Sequence, residues 1–189
     1  MGFLDVFRGK KALRAPSPDR LFAITTAGVT LETAHDIRTA GKAAIVFQPL
    51  SAADFATVAA DMEELVRSAA TETGTTVDRK DDSYGYRWIV LSDPDLDDLA
   101  VSVNTVNSEL SAGGYGDRVL CALFAFKDAA GKPVHFVYNV KRGSWYPFVP
   151  VGGEARDSER ELRLQAILAR ELPLEADLSR WFPLWGAPV

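Results

Sequence analysis

Apolar and polar positions alternate along the chain with two distinct periods. Phe55, Val58, Ala59, Met62, Leu65, Val66 and Ala69 recur at helical spacing behind Ser51-Ala-Ala-Asp54, which has the spacing of a capping box. An amphipathic helix ending near Gly74 is the prediction. Leu96, Leu99, Ala100, Val103, Val106 and Leu110 repeat the pattern, with Asp93-Pro94 as the expected cap and Gly113-Gly114 as the stop. Ser17-Pro18-Asp19 opens a short helix through Leu21, Phe22 and Ile24. Gly28 to Asp36 is ambiguous and is taken as a strand with a turn. A charged helix from about Arg156 to Leu172 ends at Pro173.

The period-two segments predict strands. Lys42 to Phe47 is a compact β-like run closed by Pro49. Thr75 to Lys80 and Tyr84 to Leu91 form a hairpin about Asp81-Asp82-Ser83, with Tyr84, Tyr86, Trp88 and Val90 on one face. Val119 to Phe126 is apolar on both faces and belongs in the centre of a sheet. Val134 to Lys141 alternates cleanly. Trp145 to Val151 contains Pro147 and Pro150, which demote it to an edge. The aromatic tail, Leu178 to Trp185, is expected to pack back on the body. Strand pairs punctuated by helices indicate α+β. The prediction is one domain over 17–189 in the approximate order α-β-α-β-β-α-β-β-β-α. Its mainly antiparallel sheet has five to six strands packed with three or four helices. Residues 1–16 form a separate N-terminal segment and linker.

Composition narrows the class. In 189 residues, 47% are hydrophobic and 25% charged, as in soluble globular proteins. The longest apolar run, Val119 to Phe126, is far short of the roughly 20 residues that span a bilayer. One cysteine, Cys121, excludes an internal disulfide and points to the cytosol. The net charge of −5 is shared unevenly. Arg8, Lys10, Lys11 and Arg14 against Asp5 give residues 1–14 a balance of +3, leaving −8 for the remainder. A nucleic-acid-binding body is not expected from such an acidic remainder.

Motifs that carry chemistry are not evident, and no enzyme, cofactor or metal is predicted. His35 and His135 stand a hundred residues apart, and His135 is expected to be a hydrogen-bonded sheet residue. Asp93-Pro-Asp-Leu-Asp-Asp98 mimics the start of a calcium loop, but Asp98 and Asn104 stand where Gly and Glu are required. Cys121 lies mid-strand, where a thiol is inert core. Gly113 to Gly116 follows a helix and precedes a strand, the reverse of a phosphate loop. Asp81, Arg87, His135 and Arg142 are the residues from which a scattered polar site would have to be assembled.

Two stretches suggest contact with partners. Trp145, Tyr146 and Phe148 on the edge strand either pack inward or form a partner surface. Phe3, Leu4 and Phe7 fall on one side of a helix, with Arg8, Lys10 and Lys11 after them. Burying the three apolar side chains in a membrane gives at most about 5–9 kcal/mol. The four basic residues add roughly 1 kcal/mol each at an anionic surface. Ordering about eight residues costs at least ~8 kcal/mol. The segment is therefore either a short helix packed on its own body with a solvated basic tail, or a weak, reversible anchor that acts together with a partner. It has no signal-peptide layout, and Val6 stands where myristoylation requires Ser or Thr.

The start MGFLD-x-F-x-G-K-K, the Pro-containing linker, Leu21-Phe-Ala-Ile and Gly28-Val-Thr-Leu31 resemble the PspA-associated protein family of actinobacteria, PspAB. Val119 to Val140, Trp145-Tyr-Pro-Phe-Val-Pro150 and the total length also fit. The resemblance implies the company of phage-shock protein A, a membrane-stress effector, and of a membrane metalloprotease of the heat-shock type. It brings no catalytic residues. The expectation is a non-enzymatic accessory or adaptor protein of an envelope-stress system, cytoplasmic and peripheral to the inner face of the membrane. Its partner would be phage-shock protein A or an associated membrane protein, with weak anionic-surface contact, and a homodimer is compatible with this picture. The alternatives are a small-molecule-binding or enzymatic α+β domain, and an adaptor resembling the secretion chaperones.

Overall fold

Strand and helix periods resolve, in a computed structural model describing residues 18–49, 64 and 74–189, into an antiparallel sheet with helices on one face. The elements described are α1 (Pro18–His35), β1 (Arg38–Phe47), β2 (Thr76–Asp81), β3 (Arg87–Ser92), α2 (Leu96–Ala112) and β4 (Val119–Lys127). They continue with β5 (Pro133–Asn139), β6 (Ser144–Phe148), β7 (Pro150–Gly152), β8 (Ala155–Arg156) and α3 (Ser158–Leu168). Six strands run in the order β2-β3-β1-β4-β5-β6, and β7 and β8 form a separate small ladder. The architecture is α+β, as expected. The expected helix over 51–74 and the segment 1–16 lie outside the described residues.

The apolar runs take the centre of the sheet. In β1, Ala43 to Phe47 are all buried, and β4 is buried from Cys121 to Phe126. These two strands pair with each other through the middle of the sheet. Gly41 makes a bulge possible in β1, where the register against β4 shifts between Thr39 and Lys42. Its φ of +71° is left-handed, and its carbonyl accepts the Asp93 N–H at 3.0 Å.

Both edges are protected. Strand β2 is mostly exposed and carries Asp78, Arg79, Lys80 and Asp81, charges that discourage pairing with another sheet. The edge of β6 is partly occupied by the chain itself. Trp145 N–H donates to Pro173 O at 2.9 Å, and Glu175 N–H donates to Trp145 O at 2.8 Å.

One sheet face packs against the helices. Leu21, Ile24, Ala27 and Leu31 of α1 and Leu99, Val103, Val106 and Leu110 of α2 join Ile45, Phe47, Ile89, Phe124 and Phe136 in the larger core. The ambiguous stretch Gly28 to Asp36 is therefore not a strand: α1 continues to His35. Its β-branched residues lower helix propensity, but Thr25 and Thr33 donate their hydroxyls to Phe22 O and Val29 O, and burial of the apolar stripe decides the outcome. The helix stops at Asp36, whose φ is +52°.

The cap of α2 also differs from expectation. Asp95 accepts the N–H groups of Asp97 and Asp98. Asp93 accepts instead from Thr75 Oγ1 at 2.7 Å and from Asp95 N–H at 2.8 Å, tying the start of β2 to the start of α2. At its other end, the N–H of Gly113 returns to Glu109 O. Asp157 caps α3 through Arg160 N–H. This helix is shorter than its charged pattern suggested, ending four residues before Leu172.

The opposite sheet face carries no helix among the described residues. Ala44, Val46, Trp88, Val90, Cys121, Leu123, Val137, Tyr146 and Phe148 are buried there beneath Trp181, Leu184, Trp185, Ala187 and Val189. The aromatic tail thus packs on the body as its composition predicted.

Candidate functional site

The tail makes this second face an aromatic chamber. Trp181 stacks on Tyr146 at 6.1 Å between ring centroids and 19° between planes. Trp185 meets Phe148 edge-on at 5.1 Å. Two buried carboxylates fix the geometry. Glu161 of α3, 1% exposed, accepts Val149 N–H at 2.8 Å and both carboxylate oxygens receive Arg156 Nε. The Arg156 guanidinium lies over the Phe148 ring at 5.3 Å and donates to Trp181 O at 2.7 Å. Glu175 accepts from Arg142 Nε at 2.8 Å and from Ser144 Oγ at 3.3 Å, while its carbonyl receives the Trp181 indole N–H at 3.1 Å. Burial alone would raise the Glu175 pKa, but the Asp177 N–H, Arg142 and Ser144 outweigh it and hold the carboxyl below its ordinary value.

Between the sheet and the tail lies a cavity of about 540 Å³. Val46, Trp88, Cys121 and Tyr146 form its floor, and Phe182 to Trp185 its roof. Tyr84, Tyr86 and Asp82 come from the β2–β3 turn, while Asn139 and Lys141 come from the end of β5. Asp82 organises the turn: its Oδ1 accepts Tyr84 N–H and Tyr86 N–H, and its Oδ2 accepts Trp88 Nε1–H, all at 2.9 Å. Tyr146 donates its hydroxyl to Phe182 O at 3.0 Å.

The titratable groups on the floor are held in their neutral forms. Burial pushes the Cys121 thiol up to about 12 and raises the Tyr146 phenol as well, against the opposing pull of Arg156. A protonated thiol is a poor nucleophile. Among the described residues, no three His, Cys, Asp or Glu side chains gather as metal ligands, and no helix is long and apolar enough to cross a membrane.

Of the residues from which a scattered polar site would have to be assembled, Asp81 and Arg87 pair with each other, and among the described residues no contact joins His135 or Arg142 to them. Arg87 donates to both Asp81 oxygens at 2.6 and 3.0 Å across the hairpin, and Arg142 is engaged by Glu175. His135 is buried with no hydrogen-bond partner for Nδ1, contrary to the hydrogen-bonded role expected of it.

Trp145, Tyr146 and Phe148 sit on an edge strand as anticipated but do not form an exposed partner surface. They are 0%, 3% and 1% exposed. Trp145 faces the helices, donating its indole N–H to Arg20 O at 2.7 Å, and the other two face the tail. Their packing explanation is the correct one. Phe3, Leu4, Phe7, Arg8, Lys10 and Lys11 lie outside the described residues. The Arg156–Glu161 pair was missed, although Glu161 shares a helical stripe with Leu164 and Leu168. A carboxylate on an apolar stripe is the signal that it has a buried partner.

The family model described as PspAB, PspA associated protein B, matches residues 1–189. The chain belongs to the PspAB family. The match spans every element described above. The family name ties PspAB to PspA and specifies no reaction. Neither the curated proteins nor the solved structures contain a match.

Proposed function

We propose that this PspAB protein is a non-enzymatic accessory protein that binds phage-shock protein A in an envelope-stress system, at the inner surface of the membrane. The whole-chain match to a family named for association with PspA carries the proposal. The neutral Cys121 and Tyr146 and the fully engaged Asp82 support a binding role over a catalytic one. Residues 3–11, with Phe3, Leu4 and Phe7 beside Arg8, Lys10 and Lys11, assist by weak contact with anionic lipid. The protein works in the cytoplasm and becomes peripheral to the membrane through its partner.

Co-sedimentation with anionic liposomes, with and without phage-shock protein A, tests this proposal. Full-length protein pellets strongly when phage-shock protein A is present, and deletion of residues 1–14 lowers the lipid-dependent fraction. Failure to bind either lipid or phage-shock protein A refutes the proposal.

A further inference from the structure

The chamber under the tail has a chemistry that association with PspA does not explain. Its walls are mostly aromatic and aliphatic, and several of its polar atoms are already engaged. The three N–H donors on Asp82 occupy both carboxylate oxygens, and Tyr146 is bound to Phe182 O. Asn139 Oδ1 accepts Arg142 N–H at 3.2 Å. Lys141 is the one cation lining the cavity; it is exposed and forms no ion pair or hydrogen bond among the described residues.

A second cavity of about 460 Å³ shares Asp82, Tyr84, Trp88 and Trp185 with the first and continues past Gly186 and Pro188. Lys141 lines only the first. The second cavity is polar, with Lys80, Asp81, Ser83 and Glu154 in its lining, whereas the first is mostly apolar and has Lys141 as its cation. A volume of this order accepts a small organic ligand.

We infer that the groove binds a single-chain anionic amphiphile. The alkyl chain lies along Trp88 and Tyr146 beneath Leu184 and Trp185, and the carboxylate or phosphate headgroup meets Lys141. Chain burial supplies affinity and the ammonium supplies polarity of entry. The same chemistry is offered by a free fatty acid and by a lipid chain at a bilayer surface.

Titration calorimetry on the full-length protein with octanoate, decanoate and dodecanoate below their micellar concentrations tests the inference. Each buried methylene strengthens binding about fourfold, so each two-carbon step tightens binding by on the order of tenfold until the groove is filled. Lys141→Glu weakens decanoate about tenfold or more and leaves 1-decanol unchanged. Leu120→Trp, which projects bulk into the cavity, weakens both ligands. Absence of saturable binding at every chain length overturns the inference. So does binding of decanoate that neither substitution alters.

Vesicles distinguish the source. Sedimentation with phosphatidylglycerol vesicles that decanoate competes away, and that Leu120→Trp reduces, assigns the chain to the bilayer. Decanoate binding without such sedimentation assigns it to a free amphiphile. Either result supports the inference. The calorimetry contains no phage-shock protein A, so its outcome is independent of whether that partner binds.

Discussion

Lowering the pH destabilises this fold through His135 before most carboxylates titrate. The side chain is 8% exposed on β5, opposite Ala125 and Phe148, with its ring 6.1 Å from that of Phe148. Burial lowers its pKa from 6.5 to about 4. The folded protein therefore holds the neutral imidazole, and the unfolded chain takes up the proton first as pH falls. Stability is unaffected above the unfolded value, declines as pH falls through 6.5, and has lost the full contribution below about 4. A difference of this size corresponds to about 3 kcal/mol in total, with about 2 kcal/mol already lost near pH 5.

Urea denaturation followed by tryptophan fluorescence, at pH 7.5 and pH 5, measures the effect. Comparison with His135→Leu isolates it, because carboxylates titrate in both proteins. The wild type loses about 2 kcal/mol more than the variant between the two conditions. The variant also removes the unpartnered Nδ1, so it is neutral to stabilising at pH 7.5. Equal pH dependence in the two proteins refutes the assignment of a buried neutral histidine.

Other perturbations probe the remaining supports. Glu161→Gln leaves the Arg156 guanidinium without its carboxylate and loosens its hold on Trp181 O; a loss of about 3 kcal/mol is expected in the urea midpoint analysis. Gly41→Ala forces a β-carbon into a left-handed conformation against Asp93 O and costs about 1–2 kcal/mol, read by thermal denaturation. Cys121 reacts only slowly with a thiol-specific disulfide reagent in the native state, because burial keeps the thiol protonated. A rapid reaction in native buffer at pH 8 contradicts a thiol buried up to about 12.

The strands were legible because their side chains repeat at the period of the pleat. Val119 to Phe126, apolar on both faces, lies between neighbours on both sides as a central strand must. The second half of α1 was not legible, because Thr25, Thr26, Val29, Thr30 and Thr33 favour strands locally and only packing against the sheet overrides them. Asp93 was mistaken for the cap because Asp-Pro is a strong local signal, whereas its use by Thr75 is a long-range contact. The edge position of β6 followed from Pro147 and from Pro150 just beyond it, but the burial of Trp145, Tyr146 and Phe148 depends on helices and tail that the strand's own residues do not encode. The chamber was foreshadowed by the alternation through Tyr84, Tyr86 and Trp88. Its roof and Lys141 come from segments distant in sequence.

The hydrogen bond from the Trp145 indole to Arg20 O joins residues 125 apart, and the central pairing of β1 with β4 joins residues 72 to 89 apart. Closing such loops costs entropy before any contact is gained, so this topology belongs with the domains that fold in milliseconds or longer. During that interval the apolar β4 segment lacks its neighbours and is the part of the nascent chain most exposed to aggregation. Substitutions that weaken the β1–β4 ladder are therefore expected to lower the yield of soluble protein before they lower the stability of the molecules that fold.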